Sequence, residues 1–409
     1  MAQEKWFTKE YWIGEHNWND EVRKQFDLPE KVWVHDVTLR EAEQHPGIVL
    51  KPDEKIALAK ALDELGVSSI ETFPIVSAQE KEVSAEIVKM NLKTQLRCLA
   101  RWLIADIDTV LECGAKAAVV ENTVNPWVVK TCYSLSEDQI VKKFAEAVKY
   151  AKDNGLHVTA MPWDIGRISL PFLERVYKSI VYDGGADRVV VSDGIGVTLP
   201  WAAPWLVKKV QSWVPGIPVE WHCHNEMGLA TADMLGAVVG GASGVHTSLC
   251  GYGTRGGNAP TEEVVLNLEI QMGVKTGVDL KKLYPVCKLA QDLTKIRMPG
   301  NKAVIGDNIF TYSTGLSIDI YEKCKAAGRD NAYVPITPEL IGRKSGIKIE
   351  LGKGSGKSTI KRRLDEYKIT ATDQQIEEIT VLVKEEGTLR KSSLDDSVFL
   401  DIVAKILQR

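Results

Sequence analysis

The sequence predicts an α/β protein: a (β/α)8 TIM barrel followed by a mostly helical C-terminal extension. Three observations lead there. Eight short runs rich in β-branched residues follow one another, a helix-like stretch separates each from the next, and polar residues gather where the runs end. A doubly wound open sheet alternates in the same way, but it carries a Gly-rich turn after its first strand and does not call for eight units. This chain has the eight units and lacks that turn.

In chain order the runs are VWVHDVT (32–38), VSSIETF (67–73), TQLRCLA (94–100), AKAAVVE (115–121), LHVTAM (156–161), DRVVVSD (187–193), IPVEWHC (217–223) and SGVHTSL (243–249). Between them the helices show apolar spacings of three and four, as in DEKIALAKALDELG (53–66) and EDQIVKKFAEAVKYAKDNG (137–155). Both close on a glycine suited to a left-handed cap. Residues 1–30 read as an aromatic-bearing arm and residues 31–275 as the barrel. In residues 276–409 the strand rhythm stops, and Gly/Pro breaks separate helices.

Composition narrows the function classes. A chain of 409 residues with 44% hydrophobic residues can bury a large core. The net charge is only −4 and both signs are mixed along the chain, so nothing marks a nucleic-acid partner or an anionic membrane. Small neutral or anionic ligands fit better. Seven scattered cysteines with no C-x-x-C spacing argue against a disulfide framework and a cysteine-rich zinc site, and point to a reducing cytoplasm. The start, MAQEKWFTKEYWIGEHNWNDEV, carries charges and tryptophans where a secretory signal has an apolar core, and no apolar run approaches membrane-spanning length.

In such a barrel the chemistry sits at the C-terminal strand ends, where the loops converge on one mouth. The first run ends in HDVTLREAEQ (35–44), the second in IETFP (70–74), the sixth in SDGIG (192–196) and the seventh in HCHN (222–225); GYGTRGGNAPTEE (251–263) follows the eighth. Residues two apart in a strand face the same way, so in VEWHCHNEMG (219–228) His222 and His224 point together into the mouth while Cys223 faces the helices. Two imidazoles with a carboxylate and an amide oxygen form a mixed N/O set suited to zinc, manganese or magnesium. Two buried, hydrogen-bonded histidines closing a strand would leave the same pattern. GKGSGKST (352–359) imitates a phosphate-binding loop, but that motif needs a glycine where Leu351 stands.

DVTLREAEQHPG (36–47), HCHNEMGLA (222–230) and GYGTRGGNAPTEEVV (251–265), each at a strand end, resemble the signatures of the metal-dependent lyase and synthase superfamily. That superfamily contains isopropylmalate synthase, homocitrate synthase, Re-type citrate synthase and the hydroxymethylglutaryl-CoA lyases. PGNKAVIGDNIFTYSTG (299–315) and TPELIGRKSGIKIELGKGSGKSTI (337–360) resemble the region after the barrel in the synthase branch. The resemblance implies a divalent metal (Mg, Mn or Zn) held by Glu41, His222, His224 and Asn258. It implies that Arg40 and Gln44 hold the carboxylate and oxygen of a 2-oxo or 2-hydroxy acid, with Glu71, Arg101 and Arg167 lining the site. It further implies a homodimer in which the C-terminal region covers a barrel mouth, and the chain stops where leucine-regulated relatives continue, so no feedback domain is expected.

Four positions depart from the synthase pattern. The stretch that commonly reads F-S-x-E-D is AMPWDIGR (160–167), with Trp163 in place of the glutamate. The aspartate-threonine pair of the sixth strand is Asp193-Gly194, the catalytic H-E-S-G is YSTG (312–315), and the asparagine of NGIG is Cys250. No histidine follows His246. The expected function is therefore a divalent-metal-dependent acyltransferase that joins a 2-oxo acid to an acyl-CoA-derived or related carbanion, using an atypical donor or base. Arg40 would stabilise the alkoxide that forms, and His45 and Tyr312 are the candidate substitute bases. Two alternatives stay open: a carbon–carbon lyase acting on a hydroxy acid or hydroxyacyl-CoA, and a non-catalytic metal-binding homologue.

Overall fold

Each of the eight runs becomes a strand, and the eight close on themselves. A computed structural model describes residues 5–408, so the first four residues of the expected N-terminal arm lie outside the described residues. The strands are β1 (Trp33–Asp36), β2 (Ser69–Thr72), β3 (Gln95–Arg101), β4 (Ala117–Thr123), β5 (His157–Trp163), β6 (Arg188–Asp193), β7 (Val219–Cys223) and β8 (Gly244–Thr247). All pair in parallel with their chain neighbours, and β1 pairs with β8, for example Asp36 with Thr247. The helices fall where the apolar spacing puts them, at Pro52–Leu65 with Gly66 as its left-handed cap and at Glu137–Asp153 with a capping box built from Ser136 and Gln139.

The chain forms two compact units. One runs from Glu15 to Met298 and holds the barrel together with the helix Leu283–Thr294; the other joins the residues up to Gly14 with those from Pro299 onward. The second unit is mostly helical, with helices Gly315–Ala326, Lys357–Glu366, Asp373–Arg390 and Asp396–Leu407. It also contains a short parallel strand pair, Thr311–Tyr312 with Lys348–Ile349, which the sequence pattern did not announce because two residues carry no periodicity. Its own core is built from Ile360, Leu364, Ile379, Val383, Phe399, Val403 and their neighbours. Among the described residues no helix is long and apolar enough to cross a membrane.

The barrel interior divides into an apolar side and a polar side. Leu99, Val119, Met161 and Val190, contributed by β3 to β6, form one apolar cluster. On the polar side Glu220 of β7 accepts from Arg97 (2.8 Å) and Arg188 (3.0 Å) and meets His246 Nε2 at 2.9 Å. Arg97, Glu220 and His246 are buried, and Arg97 with the His246 contact holds the Glu220 carboxyl well below its ordinary range although burial opposes this. Such a network fixes the strand register beneath the mouth, because removing one partner would strand a buried charge at a cost of about 3–5 kcal/mol.

Candidate active site

The side chains at the mouth follow from the strand alternation. Two residues on from the apolar cluster, the same faces of β3, β4, β5 and β6 present Arg101, Glu121, Trp163 and Ser192. Register places Arg101 beside Glu121, Trp163 beside Ser192, and Ser192 beside His222. These residues line a cavity of about 360 Å³, together with Arg40, Glu41, Gln44, Phe73, Asn122, Tyr133, Gly194, His224 and Arg255.

Glu41, His222 and His224 meet on its floor. All three are buried, and their ligand atoms lie within 4.8 Å of one another. His224 Nε2 is 3.9 Å from Glu41 Oε1, and the two imidazole centroids are 5.2 Å apart. Burial first, then the neighbouring His224, His246 and Arg40, pushes the His222 imidazole well below its ordinary range, and burial also lowers His224 against the pull of Glu41. Neutral imidazoles are the ligand form.

Asn258 joins this group through the backbone. An isolated antiparallel bridge pairs it with His224, and its Nδ2 donates to the Tyr252 carbonyl (3.0 Å), which leaves Oδ1 buried with no hydrogen-bond partner. Residue 253 has to be glycine, since a Cβ there would overlap Asn258 Nδ2. Glu41 Oε2, His222 Nδ1 and His224 Nδ1 are likewise buried without partners. Buried polar atoms are normally satisfied. Four orphaned atoms on one N/O donor set therefore fit a divalent cation, which would take Glu41, His222, His224 and Asn258 as ligands.

Arg40 stands beside that set. Its Nε donates to Glu71 Oε1 (2.6 Å), it pairs with Glu41 through Nη1, and its Nη2 is buried with no partner. Glu71 is held from the other side by His35 Nε2 at 3.1 Å, and His35 Nδ1 sits 2.8 Å from Ser69 Oγ. Although burial opposes it, the Arg40 guanidinium and His35 bring the Glu71 carboxyl down to about 2. Glu71 is thus a fixed anion that orients Arg40. Burial pushes Glu121 the other way, up to about 7, with Arg40 pulling down and Glu71 and Glu41 pushing up.

Of the residues expected at the site, Arg40, Glu41, Gln44, Arg101, His222 and His224 line the cavity. Glu71 and Asn258 lie behind them, in contact through Arg40 and through the bridge to His224. Arg101 is turned toward Asp106 (Nε–Oδ2 2.7 Å) and Arg167 toward Asp164 (Nε–Oδ1 2.8 Å), so part of each guanidinium fork is already engaged. His45 is half-buried, with its ring 6.3 Å from that of Tyr252, and is not among the lining residues. Tyr312 belongs to the other compact unit. Cys250 adopts a left-handed backbone (φ 59°) and its thiol is buried in a group with Glu262 and Cys287. Glu121, Asn122 and Arg255 were not singled out by sequence reasoning. A signal existed for Glu121: it is the one charged residue of β4 and directly follows the apolar run Ala117–Val120.

Comparison with known proteins places the chain in a family. The HMGL-like family matches residues 31–290, and the homocitrate synthase post-HMGL domain-like family matches residues 304–391. A 2-isopropylmalate synthase of Methanocaldococcus jannaschii is 35% identical over 96% of this chain and 76% of its own length. A homocitrate synthase AksA of Methanopyrus kandleri is 34% identical over 95% of this chain and 96% of its own. An (R)-citramalate synthase CimA of M. jannaschii is 38% identical over 92% and 74%. Among solved structures, an HMG-CoA lyase of Acinetobacter baumannii in complex with coenzyme A and 3-methylmalate superposes with a TM-score of 0.59 at 21% identity, covering 68% of this chain and 96% of that one. The chain belongs to the HMGL-like family and is an enzyme of the acyltransferase or carbon–carbon lyase type.

Proposed function

We propose that this protein is a condensing acyltransferase that joins a 2-oxo acid to the α-carbon of an acyl-CoA thioester, with a divalent metal held by Glu41, His222, His224 and Asn258. The observation that carries the reading is the unpartnered Nη2 of Arg40 beside four orphaned ligand atoms. A metal bound there supplies Lewis-acid polarisation of a ketone. Arg40, clamped by Glu71 and Glu41, keeps one N–H free for the ketone oxygen as it gains charge, and a buried, preoriented donor is worth far more there than in water. Gln44 at the rim and the apolar wall of Phe73, Leu99, Met161 and Tyr133 suit a carboxylate at one end and a short apolar side chain at the other.

Support also comes from the relatives, which are named for isopropylmalate, homocitrate and citramalate synthesis. The acceptor acid, the thioester and a homodimeric assembly are part of the proposal. The test incubates metal-loaded protein with a panel of 2-oxo acids and acyl-CoAs and follows free thiol. Thiol release that requires both partners supports condensation. Release of a carbonyl compound from hydroxy acids or hydroxyacyl-CoAs, with no thiol from the panel, would reassign the protein as a lyase. Inertness in both directions would leave a metal-binding homologue.

A further inference from the structure

A carbanion donor needs a proton acceptor at the mouth, and the strand-end position where the resembling synthases carry a glutamate holds Trp163. Most carboxylates at the mouth are already engaged. Glu71 is taken by Arg40 and His35, and Glu41 lies against Arg40 and the histidines. Asp164 accepts from Arg167 and from Asn125 Nδ2 (2.8 Å). Asp193 Oδ2 accepts from the backbone of Val197 (2.8 Å) and Thr198 (2.6 Å), and Glu226 is engaged by Arg255 (2.6 Å). Glu121 differs from all of these. It lines the cavity and has no hydrogen-bond partner among the described residues. It also sits on the strand next to that of Trp163, with its neighbour two residues on, Thr123, directly paired to Trp163.

We propose that Glu121 is the base of the condensation, a carboxylate moved one strand round the mouth, from β5 to β4. This rests on the condensing reading above. The carboxylate takes a proton from the carbon next to the thioester carbonyl, and the electron pair of the broken C–H bond becomes the enolate. That enolate forms the new carbon–carbon bond at the ketone of the 2-oxo acid. The ketone π pair moves onto its oxygen, beside Arg40, and the proton held by Glu121 is available to that alkoxide. Water then hydrolyses the thioester to a carboxylic acid and free thiol. Trp163 has a positioning role here: its ring closes the side of the cavity where the β5 carboxylate would have been.

The test uses the metal-loaded full chain as wild type, Glu121→Gln and Glu121→Asp, with three readouts. These are thiol release on the 2-oxo acid and acyl-CoA panel, deuterium uptake from D2O at the thioester α-carbon followed by NMR, and 2-oxo acid binding by calorimetry. Glu121→Gln is expected to lose about a hundredfold or more in turnover and in deuterium uptake while binding the oxo acid as wild type does. Glu121→Asp should recover part of both. Wild-type rates in Glu121→Gln would overturn the assignment and leave the condensing reading standing. Neither turnover nor exchange in the wild type would overturn both. Equal loss of oxo-acid binding and turnover in both variants would make Glu121 structural and overturn its role as base. Should Glu121→Gln melt early, Glu121→Asp decides by whether exchange persists at a reduced rate.

Discussion

The indole of Trp163 lies over Gly194: a Cβ at residue 194 would sit 3.4 Å from Trp163 Cε3. Two of the departures from the synthase pattern, at the end of β5 and one residue past the end of β6, are therefore in packing contact. Gly194→Thr should crowd the ring and cost about 1–3 kcal/mol of stability, whereas the same change in a Trp163→Glu background should cost much less. Melting curves of the two single variants, the double variant and wild type measure the coupling. Additivity within about 0.5 kcal/mol would show that the two positions changed independently.

The metal assignment makes a stoichiometric prediction. Purified protein should carry or bind about one divalent ion per chain, because the donors stand on rigid strand ends. His222→Ala with His224→Ala should abolish this, as read by elemental analysis after dialysis against excess metal. Full metal content in the double variant would mean that another part of the chain holds the ion.

Arg40→Lys keeps the charge but loses the planar fork that spans Glu71 and Glu41 while leaving Nη2 free. Turnover should fall by about two orders of magnitude, with metal content retained and substrate affinity reduced less than turnover, because the charge on the oxygen develops in the transition state. Steady-state rates and metal analysis on this one variant separate the outcomes. Wild-type kinetics would remove the oxyanion role.

Acid stability should carry the mark of His35. Burial, with His246 and Arg97, lowers its imidazole from 6.5 to about 3, against the pull of Glu71. The folded state thus prefers the neutral ring, and below 6.5 the unfolded chain binds a proton that the folded chain refuses. This contribution is fully present above 6.5 and is lost as pH falls toward about 3. Asp36, raised from 3.8 to about 6 chiefly by burial, works in the opposite direction between those values, so the wild-type profile alone mixes the two. The stability difference between wild type and His35→Gln isolates the first. It should change by about tenfold in the folding constant per pH unit below 6.5, read by denaturant titration. A difference that does not vary with pH would mean that His35 protonates freely in the fold.

The amino-acid sequence by itself determined the eight strands, their order and which ends carry polar groups, because alternation with period two and helical spacing of three and four are local properties of the chain. Alternation also placed His222 and His224 on one face, although β7 ends at Cys223 and His224 is held in line one residue past it by its bridge to Asn258. Tertiary structure decided which polar groups at the mouth are free to act. Arg40 meets Glu71 across 31 residues and Arg97 meets Glu220 across 123, and nothing local marks either pair. The fold also turned Arg101 and Arg167 toward aspartates, put Tyr312 in another unit and left Glu121 open to the cavity. The contact of Trp163 with Gly194 was equally hidden, because it exists only once the ends of two strands are laid side by side. Buried donors and acceptors are normally engaged, so what remains for chemistry is settled by which partners the closed barrel brings together.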